Sequence, residues 1–232
     1  LQQIKLEQIP DNSLSAEIDC LNLESLFIGN GEIIYDILIN FPKRDYYGKP
    51  ITALLLVQYL EHRGIQRRTY ADDVKISARI QDLNDEFAGW FHPIKERLFE
   101  TETAQKVIRN IENETNVLLL GAAGSGKSGC VGVLQKHLEG NHIPYLAIKL
   151  DKHPPVRSID QYSKDLDLPI SPVLSLESMV AKGSYGVLIL DQLDSLRWTS
   201  AHSETALPIC KKMLMQAQSI SEKKIVVVLV SR

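Results

Sequence analysis

Between Gly121 and Ser128 the chain reads Gly-Ala-Ala-Gly-Ser-Gly-Lys-Ser, the spacing G-x-x-x-x-G-K-S. Gly121, Gly124 and Gly126 open backbone dihedrals that are closed to other residues and bring N–H groups close to an anion. With Ala122, Ala123 and Ser125 between them, the backbone N–H groups of this loop form a concave anion nest. A helix starting at Lys127 points its positive end at the same spot. Lys127 reaches for β- and γ-phosphates, and the Ser128 hydroxyl is the type of group that holds Mg²⁺ there. A glycine-rich turn matching this pattern by accident has odds on the order of one in a hundred in a chain of ordinary composition. The apolar run Asn116–Leu120 before the loop and the helical pattern after it lower those odds further. The expected chemistry is the binding of a nucleoside triphosphate.

A second stretch fits the same chemistry. Gly186-Val-Leu-Ile-Leu-Asp-Gln-Leu-Asp194 reads as a buried strand that ends in Asp191. Ligands of open α/β sheets sit at the carboxyl ends of strands, where a carboxylate can hold Mg²⁺ through water. The plain alternative for Asp191 is a strand-end residue capping the next turn. Asp194, three residues on, is a candidate for orienting an attacking water. Arg232 follows the apolar run Ile225–Val230 and is a candidate to meet the γ-phosphate, or else a solvated chain end.

These residues need a scaffold, and the spacing supplies one. Helix Glu100–Asn113, with Ala104, Val107, Ile108 and Ile111 as its apolar stripe, leads into the strand before the loop. A helix over Lys127–Glu139 ends at Gly140. Tyr145–Leu150 is a strand of the type buried in a parallel sheet. Helices over Arg157–Leu166 and Val173–Ala181 flank Leu168-Pro-Ile-Ser-Pro172, and a further helix spans Glu204–Ser219. The predicted fold class is α/β: a three-layer core with a parallel sheet over residues 93–232, preceded by a small, mostly helical region over 1–92.

The N-terminal part is less legible. Ile4–Ile9 and Ile18–Leu23 carry weak alternation that fits a strand pair, and Glu32–Phe41 reads as a short helix before a polar loop, Pro42–Pro50. Ile51–Arg63 is an apolar helix closed by Gly64. Thr69-x-x-Asp72 resembles a capping box ahead of Ile76, Ile80, Leu83, Phe87 and Trp90 at helical spacing. His92-Pro93 breaks that helix, and the domain boundary is placed there. Helix, turn, then a helix preceded by Arg67 and Arg68 is the outline of a helix-turn-helix, although an ordinary helical hairpin gives the same pattern.

The composition, with 44% apolar and 24% charged residues among 232, is that of an ordinary globular protein. A net charge of −3 gives no global attraction to nucleic acid. The three cysteines, Cys20, Cys130 and Cys210, form neither a metal spacing nor a disulfide framework, which points to the reducing cytoplasm. No apolar run is long enough to span a membrane as a helix. The chain starts at Leu1 without a methionine and stops just after an apolar strand, so a fragment of a longer protein is expected.

Taken in order, Gly121–Ser128, Val187-Leu-Ile-Leu-Asp-Gln-Leu-Asp194 and Val226-Val-Val-Leu-Val-Ser-Arg232 resemble the signal-transduction ATPases with numerous domains (the STAND class), relatives of AAA+ ATPases. The resemblance covers roughly Glu100–Arg232 and is greatest to bacterial members. It implies ATP and Mg²⁺ as cofactors, Lys127 and Ser128 as phosphate and metal ligands, Asp191 as a metal ligand and Arg232 as the sensor of the γ-phosphate. It also implies that the strand ending at Arg232 lies between those ending at Leu120 and Asp191, and that the full-length protein forms a homo-oligomer. Gln192 departs from the pattern, standing where AAA+ motors carry a catalytic glutamate. The helical lid and sensor repeats of the class have no counterpart in these residues.

The resulting expectation is an ATP-dependent switch with slow hydrolysis that controls oligomerisation or an attached effector. Two alternatives stand beside it. One is an ATP-regulated DNA-binding protein using residues 32–91, and the other is a small-molecule kinase. A GTPase is disfavoured because no Asn-Lys-x-Asp motif occurs in the sequence.

Overall fold

The apolar runs around the glycine-rich loop become the strands of one all-parallel sheet: β1 (Val117–Leu120), β2 (Tyr145–Lys149), β3 (Tyr185–Asp191) and β4 (Lys224–Ser231), in the order β1-β4-β3-β2. β4 therefore lies between β1 and β3, the order implied by the resemblance. The computed structural model describes residues 16, 19–20, 23–24, 26–44, 53–66, 74–91, 98–198, 203–220 and 223–232. Its helices are, in chain order, α1 (Gly31–Arg44), α2 (Ala53–His62), α3 (Val74–Gly89), α4 (Glu102–Glu112), α5 (Lys127–Gly140), α6 (Ile159–Asp165), α7 (Pro172–Met179), α8 (Ser195–Trp198) and α9 (Ser203–Ser219).

Strand alternation divides the interior into two cores. On β3, Leu188 and Leu190 face one side together with Leu146, Ile148, Ile225 and Val227, while Val187 and Ile189 face the other with Leu119, Ala147, Val226 and Val228. The first core is closed by Tyr162 of α6, Leu176 of α7 and Met213 of α9, and the second by Val107 of α4 and Leu134 of α5. Helices thus pack on both faces of the sheet, which explains the apolar runs of β2, β3 and β4, whereas Leu118 and Leu120 on one face of β1 stay exposed. Side-chain hydroxyls start several of these helices: Thr101, Ser158 and Ser171 accept from the backbone N–H three residues on. Each such cap is worth about 1 kcal/mol.

The chain divides into two compact units, Leu1–Tyr70 and Ala71–Arg232. This corrects the boundary expected at residue 92, because α3 belongs to the sheet rather than to the N-terminal region. Its Ile76, Ile80 and Leu83 enter the first core and its Phe87 the second. Between them the buried Asn84 runs its amide along the free edge of β2, donating to the Tyr145 carbonyl at 2.8 Å and accepting from the Ala147 N–H at 2.9 Å. Arg79 adds a bond from Nε to the Leu166 carbonyl at 2.8 Å. An edge strand left open in this way is a template for pairing with another chain, and α3 covers it.

In the first unit, α1 and α2 bury Ile34 and Leu60 around Phe27. Gly31 has no room for a side chain, since a Cβ there would lie 2.1 Å from the Cys20 carbonyl oxygen. Gly64, at φ +78°, closes α2 as expected. The strand expected over Ile18–Leu23 is helical at Asp19, Cys20 and Leu23. Cys20 and Leu23, three residues apart, share one side of such a turn, and Leu23 packs against Phe27, Ile34 and Leu60. α1 runs on to Arg44, so the loop expected from Pro42 does not begin there. Ile4–Ile9, Arg67, Arg68, the Thr69–Asp72 capping box and the His92-Pro93 break lie outside the described residues.

Candidate functional site

The loop after β1 takes its shape from its glycines. Gly124 and Gly126 stand at φ +76° and +89°, the left-handed region that strains any residue with a Cβ. A Cβ at Gly121 would lie 2.6 Å from the Ser125 hydroxyl, which would have to turn away to make room. Gly126 is also the N-cap of α5, and no side chain caps that helix. Its first N–H groups and its positive dipole end therefore face the loop interior. Lys127 folds back across the loop, its ammonium donating to the Gly121 carbonyl and, at 2.9 Å, to that of Ala122.

This loop stands at the carboxyl end of the sheet, where β3 and β4 also finish. There a cavity of about 300 Å³ gathers Ala123, Gly124, Ser125, Gly126, Lys127 and Ser128 on one side with Asp191, Gln192, Asp194, Ser231 and Arg232 on the other. Residues separated by some 60 to 110 positions in sequence are brought to one place by the crossovers of a parallel sheet. Gly121 and Ala122 do not line the cavity; they sit behind it as the carbonyls that hold Lys127.

Asp191 closes β3 and is only 6% exposed. Its Oδ1 accepts the Gln192 N–H at 2.8 Å. Burial pushes its carboxyl above the usual carboxylate range, while that N–H bond and the charges of Lys149 and Lys127 pull it back. Gln192 then takes a left-handed φ of +62°, and the Leu193 N–H bonds the Val230 carbonyl at 3.0 Å. The tight turn delivers Asp194 to Arg232. The Arg232 N–H donates to Asp194 Oδ1 at 3.2 Å, and its Nε lies 3.5 Å from Oδ2.

The sequence reading passed over two residues here. Lys149 ends β2 in register with Asp191 and holds its ammonium 5.7 Å from the Trp90 ring centroid. The available signal was a lone cation at the carboxyl end of an otherwise apolar strand. Phe91, which lines the cavity, was announced by two adjacent aromatics after Gly89. A second cavity, about 370 Å³ at the amino ends of the strands, is bordered by Lys223 and Lys224. Both lysines are engaged, Lys223 with the Glu177 carbonyl at 2.9 Å and Lys224 with the Glu114 carboxylate at 3.1 Å.

No protein-family model matches the sequence, and no curated protein matches it closely enough to count as a relative. Among the described residues no helix is long and apolar enough to cross a membrane. Nor do the described residues hold a cluster of three or more His, Cys, Asp or Glu side chains placed for a metal. A magnesium ion in a nucleotide site needs no such cluster, because one or two protein oxygens and the substrate phosphates complete its shell.

Proposed function

We propose that the chain is the nucleotide-binding core of a phosphate-loop ATPase of the STAND type, a switch whose bound nucleotide controls assembly or an attached effector. One observation carries the reading. A loop with two left-handed glycines, opening onto an uncapped helix start, shares its cavity with Lys127, Ser128, a buried strand-end aspartate and an arginine. An anion with several oxygens satisfies the loop N–H groups, and the ammonium beside them adds charge. Ser128 and Asp191 are the two oxygen donors that would hold Mg²⁺, which when bound neutralises charge on the phosphates.

The chain's own residues set the pace of any hydrolysis. Gln192 cannot accept a proton at neutral pH, and Asp194 is engaged with Arg232. The site is therefore built to hold a triphosphate longer than to turn it over, which suits a state marker. α3, which the DNA-binding alternative would use, packs its apolar face on the sheet beside β2.

Calorimetry on the purified chain tests the reading. ATP with Mg²⁺ is expected to bind the parent, and Lys127→Ala is expected to lose most of that affinity. Equal affinity in the two proteins would remove Gly121–Ser128 from the assignment.

A further inference from the structure

The walls of the cavity differ in chemistry. Asp191, Gln192, Asp194, Ser231 and Arg232 make the sheet side polar and charged, whereas the α5 side, past Lys127 and Ser128, turns apolar at Gly129. Phe91 supplies that apolar wall and is the one aromatic ring among the described lining residues. It is seated there by glycines. A Cβ at Gly129 would meet the ring at 4.0 Å, and one at Gly132 would press on Leu98 at 3.1 Å and on Phe91 at 3.4 Å. The ring thus lies in van der Waals reach of α5 at two positions that carry no side chain, and a group larger than a methyl at either would crowd it.

We propose that Phe91 is the platform on which the base of a purine nucleotide stacks. The inference rests on the reading of Gly121–Ser128 as a triphosphate cradle and goes on to say where the rest of the ligand lies. With phosphates at Gly124–Ser128, the described lining offers the rest of a nucleotide two sides, the charged sheet side and the α5 side. A base presents an apolar π-face, and the α5 side is where such a face removes apolar surface from water without stranding a charge. Ring stacking discriminates by area, so the larger purine gains more from Phe91 than a pyrimidine does.

The test compares three ligands, ATP, CTP and inorganic triphosphate, each with Mg²⁺, by calorimetry on the full chain. Three proteins are measured: the parent, Phe91→Leu and Phe91→Tyr. Phe91→Leu keeps an apolar side chain against Gly132 and loses the ring, and melting temperature checks that it folds. Base stacking on one aromatic side chain contributes about 1–3 kcal/mol, so ATP affinity is expected to fall about tenfold or more in Phe91→Leu. Inorganic triphosphate should bind the parent and Phe91→Leu alike, Phe91→Tyr should bind ATP as the parent does, and the preference of the parent for ATP over CTP should narrow in Phe91→Leu. Unchanged ATP affinity in Phe91→Leu, with triphosphate still bound by the parent, overturns the platform and leaves the cradle standing. Equal losses of ATP and triphosphate overturn it too, because the ring would then act through the fold. If the parent binds neither ATP nor triphosphate, the cradle reading goes and the platform goes with it.

Discussion

The carboxylate of Asp194 holds Arg232 at two points, accepting its backbone N–H at 3.2 Å and lying 3.5 Å from its guanidinium Nε. Each residue thereby limits what the other is free to do. The carboxylate expected to orient an attacking water is engaged with a cation, and the arginine expected to meet a γ-phosphate is engaged with an anion. The geometry is loose and one partner is open to water: the Arg232 side chain is 62% exposed, that of Asp194 16%. Pairs of this kind contribute roughly 0–1 kcal/mol, less than a phosphate could offer the same guanidinium. Asp194→Asn should therefore change stability by less than about 1 kcal/mol in urea denaturation. A larger loss would mean that the pair is a structural tie and not an exchangeable contact.

Turnover is the second expectation. Gln192 stands beside Asp191 as an amide and cannot serve as general base, which leaves Asp194 as the nearest candidate. The chain should hydrolyse ATP far below the typical enzyme range of about 1–10³ per second. Asp194→Asn should lower whatever rate remains while ATP affinity holds, and Asp191→Asn should weaken the Mg²⁺-dependent part of binding. A phosphate-release assay reads all three proteins, with Lys127→Ala as the blank. Many turnovers per second in the parent, untouched by Asp194→Asn, would mark a motor instead of a switch.

Much of the carboxyl-terminal unit was legible because its signals are local. Left-handed turns at Gly124 and Gly126 need glycine, and strands buried on both faces need unbroken apolar runs, so the loop and the strands follow from residue types, while the strand order came from the resemblance. Where α3 belongs was not legible. Its stripe Ile76, Ile80, Leu83, Phe87 says that one face is buried but not against what. Asn84 was the overlooked clue. It stands four residues after Ile80 and three before Phe87, inside the stripe, and a polar side chain there needs a partner that only the folded sheet supplies. The Asp194–Arg232 contact was hidden for a related reason, because it depends on the positive φ of Gln192, which no composition rule assigns to glutamine.

Asn84 carries the third expectation. Its amide satisfies one donor and one acceptor on β2, both buried. Asn84→Ala leaves the two backbone groups orphaned at about 1–3 kcal/mol each, so a loss of roughly 2–6 kcal/mol is expected. Asn84→Asp should also destabilise, since a carboxylate still accepts from Ala147 but meets the Tyr145 carbonyl with no proton to donate. Chemical denaturation measures both. Losses under about 0.5 kcal/mol would show that water or neighbouring groups replace the amide.

The last expectation concerns alkaline pH and does not depend on any ligand. Cys210 is 3% exposed within the first core, and burial pushes its thiol from an ordinary value of 9.0 up to about 12. Burial likewise raises Cys130 and Tyr162. Between the ordinary value and the raised one, the folded chain keeps a proton that the unfolded chain has given up. The folded state then binds more protons, so stability falls as pH rises through that window and is fully present below it. For one group the fall approaches but cannot exceed about 1.4 kcal/mol per pH unit. The urea midpoint should stay level from about pH 7 to 8.5 and decline beyond about pH 9. Cys210→Ala should cost on the order of 1 kcal/mol at neutral pH through lost packing, yet show a shallower alkaline decline. The parent and variant curves should therefore converge as pH rises, and curves that stay parallel to about pH 10.5 would exclude the Cys210 thiol as a source of the slope.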